Sequence, residues 1–246
     1  MYFKNWLYGE KEKEEMEKKD IIRPFLFCIC IITISMVAFV IPSKAEELVE
    51  QQGLVDKARI TFQSFMVDEH MAWFREDLHK AKGLLIVPSL LKAGFVLGGS
   101  GGSGVLLVKD AETDRWSQPA FYTIGSVTFG LQIGGEAAEV IMMVRTQKAV
   151  DKLLTSSFKL GADTSIAAGP VGGGAKSDVM VDIVSYTRSK GAYAGLSLEG
   201  AVIATRDKWN KAYYGKAVTP FDILVQNSAS NPGSGELREA LSNAFK

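Results

Sequence analysis

The chain is poor in the residues that do most chemistry. Its 246 residues include two cysteines, Cys28 and Cys30, and two histidines, His70 and His79. Both cysteines lie in the most apolar stretch, residues 25–41. The rest of the chain can form no internal disulfide, so a packed core must stabilise it. Two histidines nine positions apart, with no cysteine beside them, make no zinc pattern. A charge excess is missing as well: 28 Lys and Arg balance 28 Asp and Glu. Nucleic-acid binders need a basic excess to displace counterions from phosphates, so no nucleic-acid partner is expected.

Glycine is plentiful instead, with 24 residues, most of them after position 82. Ahead of that region, Lys18, Lys19 and Arg23 precede the apolar run 25–41, and Ser43-Lys44-Ala45 follows it. A basic flank, an apolar run and a small-x-small site read as a secretory signal peptide. Cleavage after Ala45 would start the mature chain at Glu46. An uncleaved signal anchor through residues 25–41 is the alternative, although seventeen residues are short for a span. Either way the domain is expected outside the membrane, in the periplasm or cell envelope.

Four regions follow: residues 1–45 as the export segment, 46–82 as helical, 83–226 as β-rich, and 227–246 as a linker with a last helix. Leu48, Val55 and Phe62 recur every seven residues beside Ala58, Phe65 and Met66, one helical face. Met71, Phe74, Leu78 and Ala81 continue the pattern past Asp68-Glu69-His70, which predicts two helices or a bent one. Apolar runs at 84–87, 105–108, 121–124, 140–144, 179–186 and 202–204 read as strands, the first ended by Pro88. Short helices are expected at 146–155 and 207–214, the latter stopped by Gly215. Thr219-Pro220-Phe221-Asp222 is a helix-start signal.

A glycine motif recurs at 93–99, 129–135, 168–174 and 194–200. Its leading glycines, Gly94, Gly130, Gly169 and Gly195, are spaced by 36, 39 and 26 residues. Unequal spacing excludes a solenoid. Glycine inside a strand marks a bulge, a bend or a close backbone approach, so these four are read as structural. The expected fold is α+β: a bent antiparallel sheet or partial barrel of glycine-punctuated hairpins, with N-terminal amphipathic helices and short C-terminal ones.

Motif matches to chemistry are weak in context. Gly99-Ser100-Gly101-Gly102-Ser103-Gly104 fits a dinucleotide fingerprint, but a strand-like run follows where a helix is required, so a hairpin tip is expected and no cofactor. Ser100 also sits in a G-x-S-x-G match. A serine hydrolase is therefore the third reading, lacking an evident base. Glu136, Glu139, Asp178 and Asp182 at strand positions are read as outer-face residues and not as a catalytic pair. The aromatics of the segment 116–122 are assigned to the core. No catalytic or metal residue is named.

One charge cluster stands out. Between positions 188 and 216, Arg188, Lys190, Arg206, Lys208, Lys211 and Lys216 face only Glu199 and Asp207, a net +4, with Trp209, Tyr213 and Tyr214 interleaved. Lys and Arg beside interfacial aromatics suit an anionic lipid–water boundary. Arg188, Lys190, Lys208, Lys211 and Trp209 are accordingly the candidate lipid-binding residues.

Several segments, taken in order, resemble the SYLF (Ysc84-type, lipid-binding) domain. They include Ala81-Lys82-Gly83-Leu84-Leu85-Ile86-Val87-Pro88, Trp116-Ser117-Gln118-Pro119-Ala120-Phe121-Tyr122, Phe129-Gly130-Leu131-Gln132-Ile133-Gly134, Ala167-Ala168-Gly169-Pro170-Val171-Gly172 and Ser185-Tyr186-Thr187-Arg188-Ser189-Lys190-Gly191. The resemblance covers roughly residues 70–225 and implies binding of membrane phospholipids, with an export signal pointing to a bacterial envelope member. It identifies no ligand residue. The N-terminal helix is excluded as the agent, since Glu46, Glu47, Glu50 and Asp56 outnumber Lys57 and Arg59. An envelope scaffold with a protein or peptide partner is the second reading.

Overall fold

A computed structural model describes residues 44–94, 97–129, 134–169, 181–189 and 198–245. Helix α1 (Lys44–Val67) buries Val55, Ala58, Phe62 and Phe65, a stripe at spacings of three, four and three residues. It stops at Asp68, whose side chain accepts the backbone N–H of His70 and caps a 3₁₀ turn, Glu69–Met71. Helix α2 (Ala72–Asp77) and a second 3₁₀ turn, Leu78–Lys80, follow. The expected break in the helical region is therefore a capped turn.

Among the described residues eight strands form one sheet: β1 (Gly83–Gly94), β2 (Leu97–Val108), β3 (Ala120–Phe129), β4 (Gly134–Val144), β5 (Ser157–Lys159), β6 (Ile166–Ala168), β7 (Ile183–Ser189) and β8 (Val202–Thr205). Their order is β5-β8-β3-β2-β1-β4-β7-β6, curled into a half-barrel of α+β class. Every pairing is antiparallel except β6 with β7. Helix α3 (Gln147–Leu153) is capped by Thr146, α4 (Asp207–Tyr214) ends at Gly215 with φ 69°, α5 (Pro220–Leu224) carries the full Thr219–Asp222 capping box, and α6 (Gly235–Asn243) closes the fold.

The near-continuous apolar runs are explained by cover on both faces. Leu84, Ile86, Val105, Leu107, Ile141 and Met143 pack beneath α1, α2, α4 and α6. Leu85, Val87, Leu106, Tyr122, Met142 and Val144 point the other way, towards α3 and α5. Residues 227–234 are packed as well: Ala229 and Ser234 are buried, and the Gln118 side chain bonds Ser230, Asn231 and Ser234.

Pro88 does not end its strand. The β1–β2 register shifts between Ile86 and Ser89, so Val87 and Pro88 together oppose the single residue Gly104. That is a β-bulge, the setting in which a strand interior tolerates proline. The glycine- and serine-rich run is not a hairpin tip either; it forms the first part of central strand β2.

Of the four motif glycines, Gly94 ends β1 between Gly98 of β2 and Gly134 of β4. Gly169 follows β6 beside the ring of Tyr186, where a Cβ would fall 2.6 Å from Cε1. Gly130 and Gly195 lie outside the described residues, as does nearly all of the expected export segment. Since Tyr186 is fully buried and bonded to Asp77, its ring has little room to yield. Gly169→Ala is expected to cost about 1–3 kcal/mol by overpacking, read from the urea midpoint.

Candidate functional site

The four long strands outrun their helical cover. Past the bulge, β1 and β2 continue as Ser89–Gly94 and Leu97–Ser103 against the far ends of β3 and β4. On the face that carries α1 and α4, pairing sets Val202, Gly125, Gly101, Leu91 and Ala137 in one row across five strands. Val127 stands two residues beyond Gly125, on the same face. Leu91 is 61% exposed, Val127 74% and Val202 45%, so nothing in the described domain covers this row. Crowding does not dictate the glycines here. A Cβ on Gly101 or Gly125 would meet nothing nearer than 3.9 or 3.7 Å.

Helix α4 packs on the same face, beside Phe121 of β3, and approaches the row only through Arg206, which reaches Ser103 two residues from Gly101. Tyr213 and Trp209 meet Phe121 edge-on and fix the helix to β3. The Arg206 guanidinium lies 3.2 Å from the Trp209 ring centroid and donates to Ser103 Oγ, a cation–π contact that orients both side chains. Lys208 and Lys211 are exposed, while Trp209 is half-buried.

Arg188 belongs elsewhere. It sits on β7, four strand spacings from β3, or roughly 19 Å. Its guanidinium donates to Glu139, to Ser64 at 2.6 Å and to Asp68 at 3.3 Å, and lies over the Phe65 ring. Burial alone would lower its pKa. The hydrogen bonds and charges of Glu139 and Asp68 outweigh burial and hold it above its usual range. Arg188 thus ties β7 to β4 and the end of α1. The structure brings Trp209, Lys208 and Lys211 together with Arg206, keeps Arg188 apart from them, and leaves Lys190 outside the described residues.

The catalytic motifs lose their context. Ser100 lies mid-strand with its Oγ 2.8 Å from Ser126 Oγ, and no strand-to-helix elbow surrounds it. His70 faces Glu69, and His79 Nδ1 faces the carbonyl of Glu76. Glu139 and Asp182 are partly or wholly buried in hydrogen-bond networks, not solvated on an outer face. Among the described residues no group of His, Cys, Asp and Glu could hold a metal, and no helix is long and apolar enough to cross a membrane.

Residues 125–244, which span β3 to α6, match a family model described as "Las17-binding protein actin regulator", Ysc84. The chain belongs to the Ysc84 (SYLF) family. An SH3 domain-containing protein of Schizosaccharomyces pombe is 37% identical over 166 residues, covering 63% of this chain and 38% of that one. The SH3 domain-containing YSC84-like protein 1 of Homo sapiens is 30% identical over 167 residues, 66% of this chain and 48% of its own. LAS seventeen-binding protein 3 of Saccharomyces cerevisiae is 33% identical over 176 residues, with coverages of 68% and 38%. The chain thus spans half or less of the length of these relatives. The family description concerns binding; of the four candidate carboxylates Glu139 and Asp182 are engaged in structure, and Asp178 lies outside the described residues. Leu91, Val127 and Val202 were not singled out by composition. Val202 falls in a run already read as strand, Leu91 and Val127 lie just past such runs, and nothing local in the sequence marks the three as exposed.

Proposed function

We propose that this Ysc84 domain binds an anionic membrane surface without catalysis, through the uncovered row of the sheet and the neighbouring cations of α4. The carrying observation is the exposure of Leu91, Val127 and Val202 on one face. Contiguous exposed apolar surface marks an interaction site, and exposed Lys208 and Lys211, on the helix that packs on the same face, suit phosphate headgroups. Helix α1 is a poor agent, because Val55, Phe62 and Phe65 are spent on the core. In the same reading, residues 25–41 direct export or anchoring and present the domain to a cell-envelope membrane.

Co-sedimentation with phosphatidylglycerol and phosphatidylcholine vesicles tests this. Each lysine near an anionic surface contributes about 1 kcal/mol, less at high salt. Lys208→Glu with Lys211→Glu should weaken binding to anionic vesicles by about tenfold or more and flatten its salt dependence. Leu91→Glu with Val127→Glu should weaken binding at every salt concentration. Wild-type binding by both folded variants would sink the proposal. A second reading, docking of a protein or peptide on this face, is favoured by the description of the family as Las17-binding. Apolar-row variants that lose no vesicle binding would turn attention to it.

A further inference from the structure

We propose a separate binding site in the cavity between the Trp116 turn, α5 and α6: it takes a small ligand with an oxyanion, a carboxylate or phosphate monoester, on a compact apolar body. The cavity is about 390 Å³, within the range of small-molecule sites. Val108, Leu224 and Ala229, all buried, give it an apolar floor. Trp116 and Arg238 line it, and exposed Arg115 joins them.

The donors here are in surplus. Arg238 comes from α6, 122 residues along the chain from Trp116, and spends Nε and Nη2 on the Trp116 carbonyl at 3.0 and 2.9 Å. Its Nη1 donates to nothing among the described residues, which leaves the terminal edge of the guanidinium for a second partner. That edge presents two parallel N–H groups, the geometry that matches a carboxylate or phosphate. Trp116 is 2% exposed and its ring packs edge-on against Phe245, so its indole N–H, unpaired among the described residues, lies closed off behind the cavity wall and serves as a reporter of the cavity and not as a donor to it.

Several acceptors beside the cavity are already engaged. Gln118 Oε1 takes Ser234 Oγ and Asn231 N–H, and Ser117 Oγ takes the Val108 N–H. Asp110 also lines the site, but its Oδ1 accepts three bonds from its own turn, at Glu112 and Thr113. With Arg115 and Arg238 against Asp110, the lining carries a net positive charge. The free edge of Arg238, the positive charge and an apolar floor together select an acceptor-only group with an apolar body.

The test follows the indole N–H resonances of the ¹⁵N-labelled full chain, which has four tryptophans. Loss of one signal in Trp116→Phe identifies the Trp116 resonance. Benzoate, phenyl phosphate and neutral benzamide are titrated at constant ionic strength, with phosphatidylglycerol vesicles as a parallel arm. A saturating shift of that resonance is expected with an oxyanion and not with benzamide. A shift with vesicles alone assigns the oxyanion to a lipid headgroup; one with the soluble anions assigns it to a free small molecule. Arg238→Lys keeps the charge and loses the fork, and should weaken binding about tenfold. Arg115→Gln, at an exposed position, should weaken it without disturbing the fold. The site is refuted by no saturating shift up to about 10 mM, by an equal response to benzamide, or by undiminished binding in both arginine variants.

Discussion

Gly104→Val should lower stability by about 3 kcal/mol or more, whereas Gly101→Ala, three residues away in the same strand, should stay within about 0.5 kcal/mol. The two glycines differ in what faces them. A Cβ on Gly104 would lie 2.6 Å from the Ile86 carbonyl oxygen and 2.8 Å from Val87 Cγ2. The first is backbone at the centre of the sheet, and the second belongs to a side chain 1% exposed. Neither can retreat without shifting β1 against β2 and β4. The cause is the Pro88 bulge, which crowds the extra residue of β1 against β2. Gly102 meets the same ridge, 2.6 Å from the Ser89 carbonyl. On the opposite face Gly101 meets nothing nearer than 3.9 Å. Urea unfolding of both variants checks the account, provided the slope is unchanged. Equal midpoints would mean that the bulge does not dictate glycine at position 104.

The bulge also marks where sequence reading ran out. Local signals sufficed for α4, whose aromatic face and Gly215 stop are adjacent in the chain, and for the capping box at Thr219. They sufficed for the inner halves of β1, β2 and β4, where burial on both faces leaves an unbroken apolar run. Pro88 misleads because proline normally ends a strand, and only the pairing of β1 with two neighbours makes its missing N–H harmless. The run 98–104 misleads because glycine and serine have little strand preference alone. It is a strand because β1 and β3 hold it on both sides. The site suffers the same way. Arg188 and Lys208 are close in sequence but belong to β7 and α4, and the sheet order inserts β2, β1 and β4 between β7 and the β3 strand on which α4 packs. Conversely Trp116 and Arg238 are far apart in sequence and meet only because α6 folds back.

Asp182 provides the other large expected effect. Its carboxylate accepts Thr146 Oγ1 at 2.8 Å, Ser165 N–H at 3.0 Å, Ser165 Oγ at 2.8 Å and Lys148 Nζ at 3.1 Å. Its own backbone bonds Ser165 Oγ and the Arg145 N–H. One side chain therefore joins the start of β7 to the approach to β6 and to the corner where β4 turns into α3. Asp182→Ala should cost about 2–4 kcal/mol, since hydrogen bonds to a charged acceptor are among the stronger ones and their donors lose it. Most of that loss belongs to Ser165 and Thr146; the Lys148 side chain is 63% exposed, and its pairing is screened. Asp182→Asn should recover only part, because an amide cannot accept on both sides. The pH dependence has a definite sign. Burial pushes the Asp182 pKa up, but the bonds from Ser165, Thr146 and Lys148 prevail and hold it well below the usual carboxylate range. A carboxylate depressed in the folded state contributes fully above its unfolded pKa, about 3.9, and loses that contribution as pH falls towards the folded value. Wild type should therefore exceed Asp182→Ala by its full margin at pH 7, and the two should converge as the pH is taken below about 4. Thermal unfolding of both proteins across that range measures the convergence. A margin that stayed constant, or grew in acid, would show that the carboxylate charge does not hold this corner together.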